Sequence, residues 1–382
     1  MATFVGETGR SYTGTYRVQR RNVSAVASNI ESHERSHGTR VAQITPMAIG
    51  FVSFESMTSD EEIPYLQIRK VVFANEPDNE YEFDISSSLY DQLKTELGKD
   101  EEDDSYPRLL YDWTHQVVTI VTVPTRLHED TSLAILNSLV NRVKSLLERE
   151  GIRLAANQRL GCSISPTILI KNDRSEYEME PDGVIFFKTE GWEEYKFVVE
   201  VVISQTHDNL LEKARKWIID SKCNIVLLLA FYEKERYSIP HKRISLTSLQ
   251  MDEQVVQMRL YCESQDQFKF GPLVFQGHTW LDEISEGFME IVRKDPNSDD
   301  TDALTNMKYV LIENGRDKSS SIRRDVGDMR LAELIPRESL GSDAAADVVV
   351  DFFNCDDFMS IVRDAMTATA VNRFKKAVKL IA

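Results

Sequence analysis

Between Lys196 and Thr206 the chain reads Lys-Phe-Val-Val-Glu-Val-Val-Ile-Ser-Gln-Thr, which sets the carboxylate of Glu200 in the middle of a β-branched apolar run. Val and Ile at this density favour a strand. Apolar residues at successive positions mean that both faces of the strand are covered. A charged carboxylate buried there costs on the order of several kcal/mol unless it is paired or holds a metal. A second apolar run, Glu180-Pro-Asp-Gly-Val-Ile-Phe-Phe187, carries Asp182 at its head. Two acids on neighbouring strands of one buried sheet suggest a metal-binding pair. Plainer uses exist for each. Pro-Asp-Gly is also an ordinary turn tripeptide, and Glu200 can pair with Lys196 or Lys213.

The segments around these two runs alternate between strand and helix patterns. Residues 116–123 read as a strand closed by Pro124. Asp130, Thr131 or Ser132 can then cap a helix whose apolar residues Leu136, Leu139, Val140, Val143, Leu146 and Leu147 recur at helical spacing as far as Gly151. A strand over 165–170, the strands of Asp182 and Glu200, a helix over 206–220 and a strand over 224–231 follow. This order predicts an α/β fold over 106–294, a mixed sheet flanked by helices. Within it, 254–261 and 271–275 read as sheet extensions or a hairpin. Residues 279–294 read as an amphipathic helix presenting Leu281, Ile284, Phe288, Ile291 and Val292.

Outside the core, residues 1–40 read as a flexible arm and 41–105 as an accessory β-rich region closed by the acidic run 99–104. Residues 295–382 read as a linker and a C-terminal helical extension. The basic amphipathic end of that extension (Arg373, Phe374, Lys375, Lys376, Val378, Lys379, Leu380) packs on the body or makes a homo-oligomer contact. At 382 residues the chain can bury one large core or two modest ones. Its four widely spaced cysteines fit a reducing compartment, so the expected location is intracellular, cytoplasmic or nuclear. The first residues lack the apolar core of a signal peptide, and no run reaches the length of a membrane span, so no membrane partner is expected. A net charge of −17 argues against coating nucleic acid with the whole surface but leaves room for a local groove. The histidines show no zinc spacing, and the P-loop, Rossmann and nucleophile-elbow signatures are missing.

Mg²⁺ takes oxygen ligands at about 2.1 Å, commonly one or two carboxylates with water and phosphate. Asp182, Glu200 and the carbonyl of Val201 are such a set. A lysine two positions after the strand acid would stabilise charge at phosphorus, but Val202 stands there. Lys213, on the helical face of Leu210, Ala214 and Trp217, is the substitute. Pro181-Asp182, the run Phe-Val-Val-Glu200-Val-Val-Ile-Ser204-Gln205, and Leu210-x-x-Lys213-x-x-x-Trp217 together resemble the PD-(D/E)XK nuclease superfamily. They are most similar to variants in which the lysine has moved to the following helix. The resemblance spans roughly residues 130–235. It implies the restriction-endonuclease-like fold and a nuclease dependent on Mg²⁺ (or Mn²⁺), with DNA ahead of RNA as partner. It further implies Asp182 and Glu200 as ligands, Lys213 as the migrated lysine, Gln205 as a polar helper, and an acid from the preceding helix, Glu148 or Glu150. The alternative is a catalytically degenerate member serving as an interaction or nucleic-acid-binding module.

Overall fold

The computed structural model describes residues 59–74, 80–98, 106–122, 124–173, 175–203, 205–235, 237–238, 244–266, 269–296, 298, 302–322 and 325–380. The arm over 1–40, the apolar segment 48–54 and the acidic run 99–104 lie outside them.

Two sheets organise the molecule. The larger has seven strands: β4 (Arg159–Ile164), β7 (Gly183–Thr189), β8 (Trp192–Val202), β9 (Ile225–Glu233), β13 (Ile284–Lys294), β14 (Leu304–Glu313) and β15 (Arg316–Asp317). They lie side by side in the order β15-β14-β13-β9-β8-β7-β4. Within this sheet only β8 and β9 run parallel, as a connection through an intervening helix requires, and the other pairs are antiparallel. The helix between them is α4 (His207–Ile219), so the expected strand–helix–strand unit is present.

The smaller sheet joins β1 (Glu80–Asp84), β2 (Arg108–Asp112), β3 (Val117–Val121), β5 (Ile168–Lys171) and β6 (Glu176–Met179), in the order β1-β3-β2-β6-β5. It therefore draws strands from both sides of residue 105, and two of them from the connection between β4 and β7. Helices α1 (Ser59–Ala74) and α2 (Ser87–Glu96) cover it and share a core of their own with β1, β2 and β3.

Burial of both faces of the large sheet follows from its strand sequences. Odd positions of β8 (Phe197, Val199, Val201) join the core under α3 (Arg126–Arg149), α5 (Ser248–Glu263) and α9 (Cys355–Ala377). Even positions (Val198, Val202) join a second core with α4 and with Ile168, Ile170, Tyr177 and Met179 of the small sheet. The small sheet and α4 thus share one face of the large one. Three single-turn helices, α6 (Leu331–Leu334), α7 (Arg337–Leu340) and α8 (Asp343–Ala346), complete the first core, beside the short pairs β10 (Ile244–Leu246) with β16 (Val378–Leu380) and β11 (Leu273–Phe275) with β12 (His278–Leu281).

Several expectations are corrected. The apolar pairs at 66–68 and 71–73, read as strands, lie in α1, where Tyr65, Ile68 and Val72 face inward. Residues 254–261 belong to α5, whose capping box of Thr247 and Gln250 nucleates a helix burying Val255, Met258 and Cys262. Residues 279–294, read as a helix, form β12 and β13. A strand covered on both faces carries a nearly continuous apolar run that satisfies helical spacing by chance, and ladders to β9 and β14 decide the matter. The linker over 295–330 contains β14 and β15. The apolar face of α9 packs on the body, largely against α3, which is one of the two uses expected of the C-terminal helix. No helix among the described residues is long and apolar enough to cross a membrane. The architecture is mixed α/β, as expected.

Candidate functional site

The antiparallel ladder of β7 on β8 ends at Gly183 opposite Val199, so Asp182 stands one step beyond it, opposite Glu200. Directly opposed residues project to the same face, with Cβ atoms about 5 Å apart. This is why acids 18 positions apart in sequence meet at one end of the sheet. Because the ladder stops there, the Val201 N–H finds no strand partner on that side. It donates to Asp182 Oδ2 at 2.5 Å. The N–H and C=O of one strand residue point the same way, so the Val201 carbonyl faces the same space.

A histidine secures the other side of Asp182. His128, in the first turn of α3, places Nε2 2.8 Å from the same Oδ2. Glu148 and Glu150, proposed from sequence as the acid of this helix, stand at its far end. Twenty residues of helix at about 1.5 Å per residue separate His128 from Glu148, so neither reaches the site.

Glu200 is 2 % exposed. Its Oε1 accepts from Trp217 Nε1 at 2.5 Å, and Oε2 lies 3.7 Å from Lys213 Nζ. Lys196, the other candidate partner, pairs instead with Glu194. Burial pushes the Glu200 carboxyl up to about 8; Lys213 opposes the shift and Asp182 adds to it. Lys213 occupies the shoulder of α4, between buried Leu210 and Trp217. Its Nζ also donates to Glu80 Oε1 of β1 at 2.5 Å. Burial alone would lower the pKa of this ammonium, but Glu80 and Glu200 outweigh burial and hold it above the usual lysine range. Lys213 is therefore a fixed positive charge and not a base. Val202, where a strand lysine would stand, lines the same cleft as Lys213.

The cleft is small, about 40 Å³, and is bordered by Asp182, Lys213, Gln205, His128, Glu80 and Glu180. Ser204 lies outside the described residues. Gln205, in the β8–α4 turn, leaves its buried Oε1 without a hydrogen-bond partner. Glu180 pairs with Arg108 at 2.7 Å and accepts from the Tyr106 hydroxyl at 3.0 Å, both through Oε1. Burial pushes its carboxyl up to about 7, against Arg108. Its buried Oε2 has no partner. Beside this cleft runs a wider groove with Glu82, Asp112, Glu178 and Glu212 against Lys216 on its walls.

Sequence reasoning singled out Asp182, Glu200, Val201, Lys213 and Gln205; Asp182, Val201, Lys213 and Gln205 border the cleft, and Glu200 lies buried against Lys213 and Trp217. It missed Glu80, His128 and Glu180. The histidine carried no spacing signal, and Glu80 in β1 and Glu180 in the β6–β7 connection sit in segments read only for their apolar residues. No family model, curated protein or solved structure matches the chain.

Proposed function

We propose that the protein is a metal-dependent nuclease of restriction-endonuclease-like fold that hydrolyses phosphodiester bonds, with DNA ahead of RNA as substrate. The observation that carries this reading is that Asp182 and Lys213 border one cleft, while Glu200, next in register after the β7–β8 ladder, is buried 3.7 Å from Lys213 Nζ. The donor set fits a hard divalent cation such as Mg²⁺ or Mn²⁺. Asp182, the backbone at Val201, Gln205 and Glu180 bring oxygen atoms to the cleft, and Gln205 Oε1 and Glu180 Oε2 have no hydrogen-bond partner there.

Asp182, Glu200 and the Val201 carbonyl would hold the ion, which when bound lowers the pKa of water and neutralises charge at phosphorus. The remaining work falls to side chains already in place. Trp217 fixes the Glu200 rotamer through Nε1. His128 and the Val201 N–H fix Asp182. Lys213 presents a permanent positive charge to the oxyanion that develops on phosphorus. Gln205 Oε1 can accept a hydrogen bond from the attacking water and so orient it.

A second reading, a degenerate fold kept as an interaction module, draws on a specific observation. Lys213 is neutralised by Glu80, and the adjoining groove is walled with carboxylates that repel a polyanion. Incubation of the purified chain with single-stranded DNA, duplex DNA and RNA, in Mg²⁺, Mn²⁺ or EDTA, separates the two. The nuclease reading expects cleavage in Mg²⁺ or Mn²⁺ that EDTA stops and that Asp182→Ala and Glu200→Ala each abolish. Cleavage that survives both substitutions, or no cleavage in either metal, leaves only the interaction module.

A further inference from the structure

We propose that the outer edge of β14 is a self-association surface, on which a second copy of this chain lays its own β14 antiparallel. A strand at a sheet edge presents unpaired N–H and C=O groups, and natural edges are blunted by shortness, charge, proline or cover. Three of the four outer edges of the two sheets are blunted in this way. β5 has four residues and ends in Lys171, β4 has six and opens on Arg159, and β1 carries Glu80, Glu82 and Asp84 in five. β14 is different. It is ten residues long, contains no proline, and is covered by β15 only at Ile312 and Glu313. From Leu304 to Leu311 it has β13 on one side and, among the described residues, no strand on the other. The one charge in that stretch, Lys308, is held 2.7 Å from Glu286 of β13. Met307 and Val310 are 47 % and 40 % exposed. Such an edge accepts an added strand through its main chain.

The residues of the edge select both the occupant and the register. Antiparallel copies of one strand are related by a two-fold axis perpendicular to the sheet, which keeps each face on its own side. Directly opposed residues share a face, so the axis must pass through a residue. Centring on Lys308 opposes two ammoniums, which is destabilising. Centring on Tyr309 draws in Ile312, already paired with Asp317, and centring on Asn306 pairs only five residues of the strand. Centring on Met307 pairs all of 304–310. Leu304 then opposes Val310, Thr305 opposes Tyr309, Asn306 opposes Lys308, and Met307 opposes its own copy. Seven residues at about 3.4 Å each make a ladder of roughly 24 Å. The two seven-stranded sheets become continuous, and both exposed apolar side chains gain an apolar neighbour. A foreign strand finds no free charge on this edge to select it, whereas its own copy matches it position by position. The cleft lies at β7 and β8, beyond β13 and β9, so this inference stands apart from the nuclease reading.

Sedimentation velocity on the full chain, between roughly 1 and 200 µM, covers the range expected of an interface at the small end of the size scale. Wild type is expected to pass from monomer to dimer across it. Met307→Lys sets two like charges face to face on the axis and should raise the dissociation constant by at least about 10-fold. Far-UV circular dichroism and a urea midpoint close to wild type check that this variant is folded. Register is read by oxidative cross-linking in a Cys162→Ser background, which removes an exposed thiol. Met307→Cys puts its two thiols on directly opposed residues, within the Cα separation of about 4.4–6.8 Å that a disulfide spans, and should form a covalent dimer. Thr305→Cys, which faces Tyr309 of the other copy, should not. The proposal is overturned by a chain that stays monomeric throughout the range, or by a dimer indifferent to Met307→Lys. Failure of Met307→Cys to cross-link, or cross-linking of Thr305→Cys just as fast, overturns it as well.

Discussion

Glu200 lies between Val199 and Val201 in the strand that pairs parallel to β9, with Trp217 Nε1 on one oxygen and Lys213 near the other. Its carboxyl titrates near 8 in the folded chain against an ordinary value of 4.5. The folded state therefore holds this proton more tightly than the unfolded state does. Stability from that proton is complete below about pH 4.5 and is lost as the pH rises toward 8. Each tenfold difference in proton affinity between the two states is worth about 1.4 kcal/mol, so the cost at pH 8 is of the order of a few kcal/mol. Glu200→Gln keeps an oxygen for Trp217 and removes the titration. It is expected to stabilise the metal-free chain by roughly 2 kcal/mol at pH 8 and by much less at pH 5. Urea unfolding at the two pH values checks this, and an equal difference at both would contradict it. A group that weakens the fold and yet sits against two polar neighbours, Trp217 and Lys213, is what a functional site tends to contain.

At the scale of elements, α4 shows how local rules place a charge. Thr206 caps it by accepting from the Asn209 N–H, and Leu210, Ala214, Trp217 and Ile218 turn inward. Lys213 is left on the shoulder that overlooks the end of β8. Because Val202 and Lys213 border the same cleft, the amine can be delivered from strand or helix. On the proposed nuclease reading, Lys213→Met is expected to lower the cleavage rate by about 100-fold, as loss of a positioned charge at an oxyanion does. Adding Val202→Lys to that variant should recover part of it. Single-turnover kinetics give the comparison, and a double variant no faster than Lys213→Met would mean that the helical position is indispensable. Elements were readable where periodicity was clear, as in α3, α4 and the strands of Asp182 and Glu200, although α3 starts at Arg126 after Thr125 and not at the expected caps Asp130, Thr131 or Ser132. They were misread where a buried strand imitates a helix, as β13 does. Both of its faces are covered, so its hydrophobic pattern has no polar side to declare the period.

At the scale of the whole molecule, the C-terminal helix closes the first core through a buried ion pair. Arg373 places Nη2 2.6 Å from Glu233 Oε1, with the two side chains 7 % and 5 % exposed, and also donates to the Trp280 carbonyl. Removing one member strands the other charge in the interior. Arg373→Met should cost about 3–5 kcal/mol in urea unfolding, and a loss below about 1 kcal/mol would show that the pair behaves like an exposed one. The small sheet matters at this scale too, because it carries Glu80 to Lys213 from 133 residues away in the chain. By itself the sequence determined what short-range order encodes: apolar runs of β-branched residues around Glu200 and after Asp182, the cap and periodicity of α4, and the register of Lys213 on its inner shoulder. These rest on interactions within about four residues, which any window of the chain contains. Only the tertiary structure decided that β13 is a strand, that α9 packs on the body, and that His128, Glu180 and Glu80 join the cleft. Those outcomes depend on ladders and ion pairs between distant segments, whose partners no local pattern names.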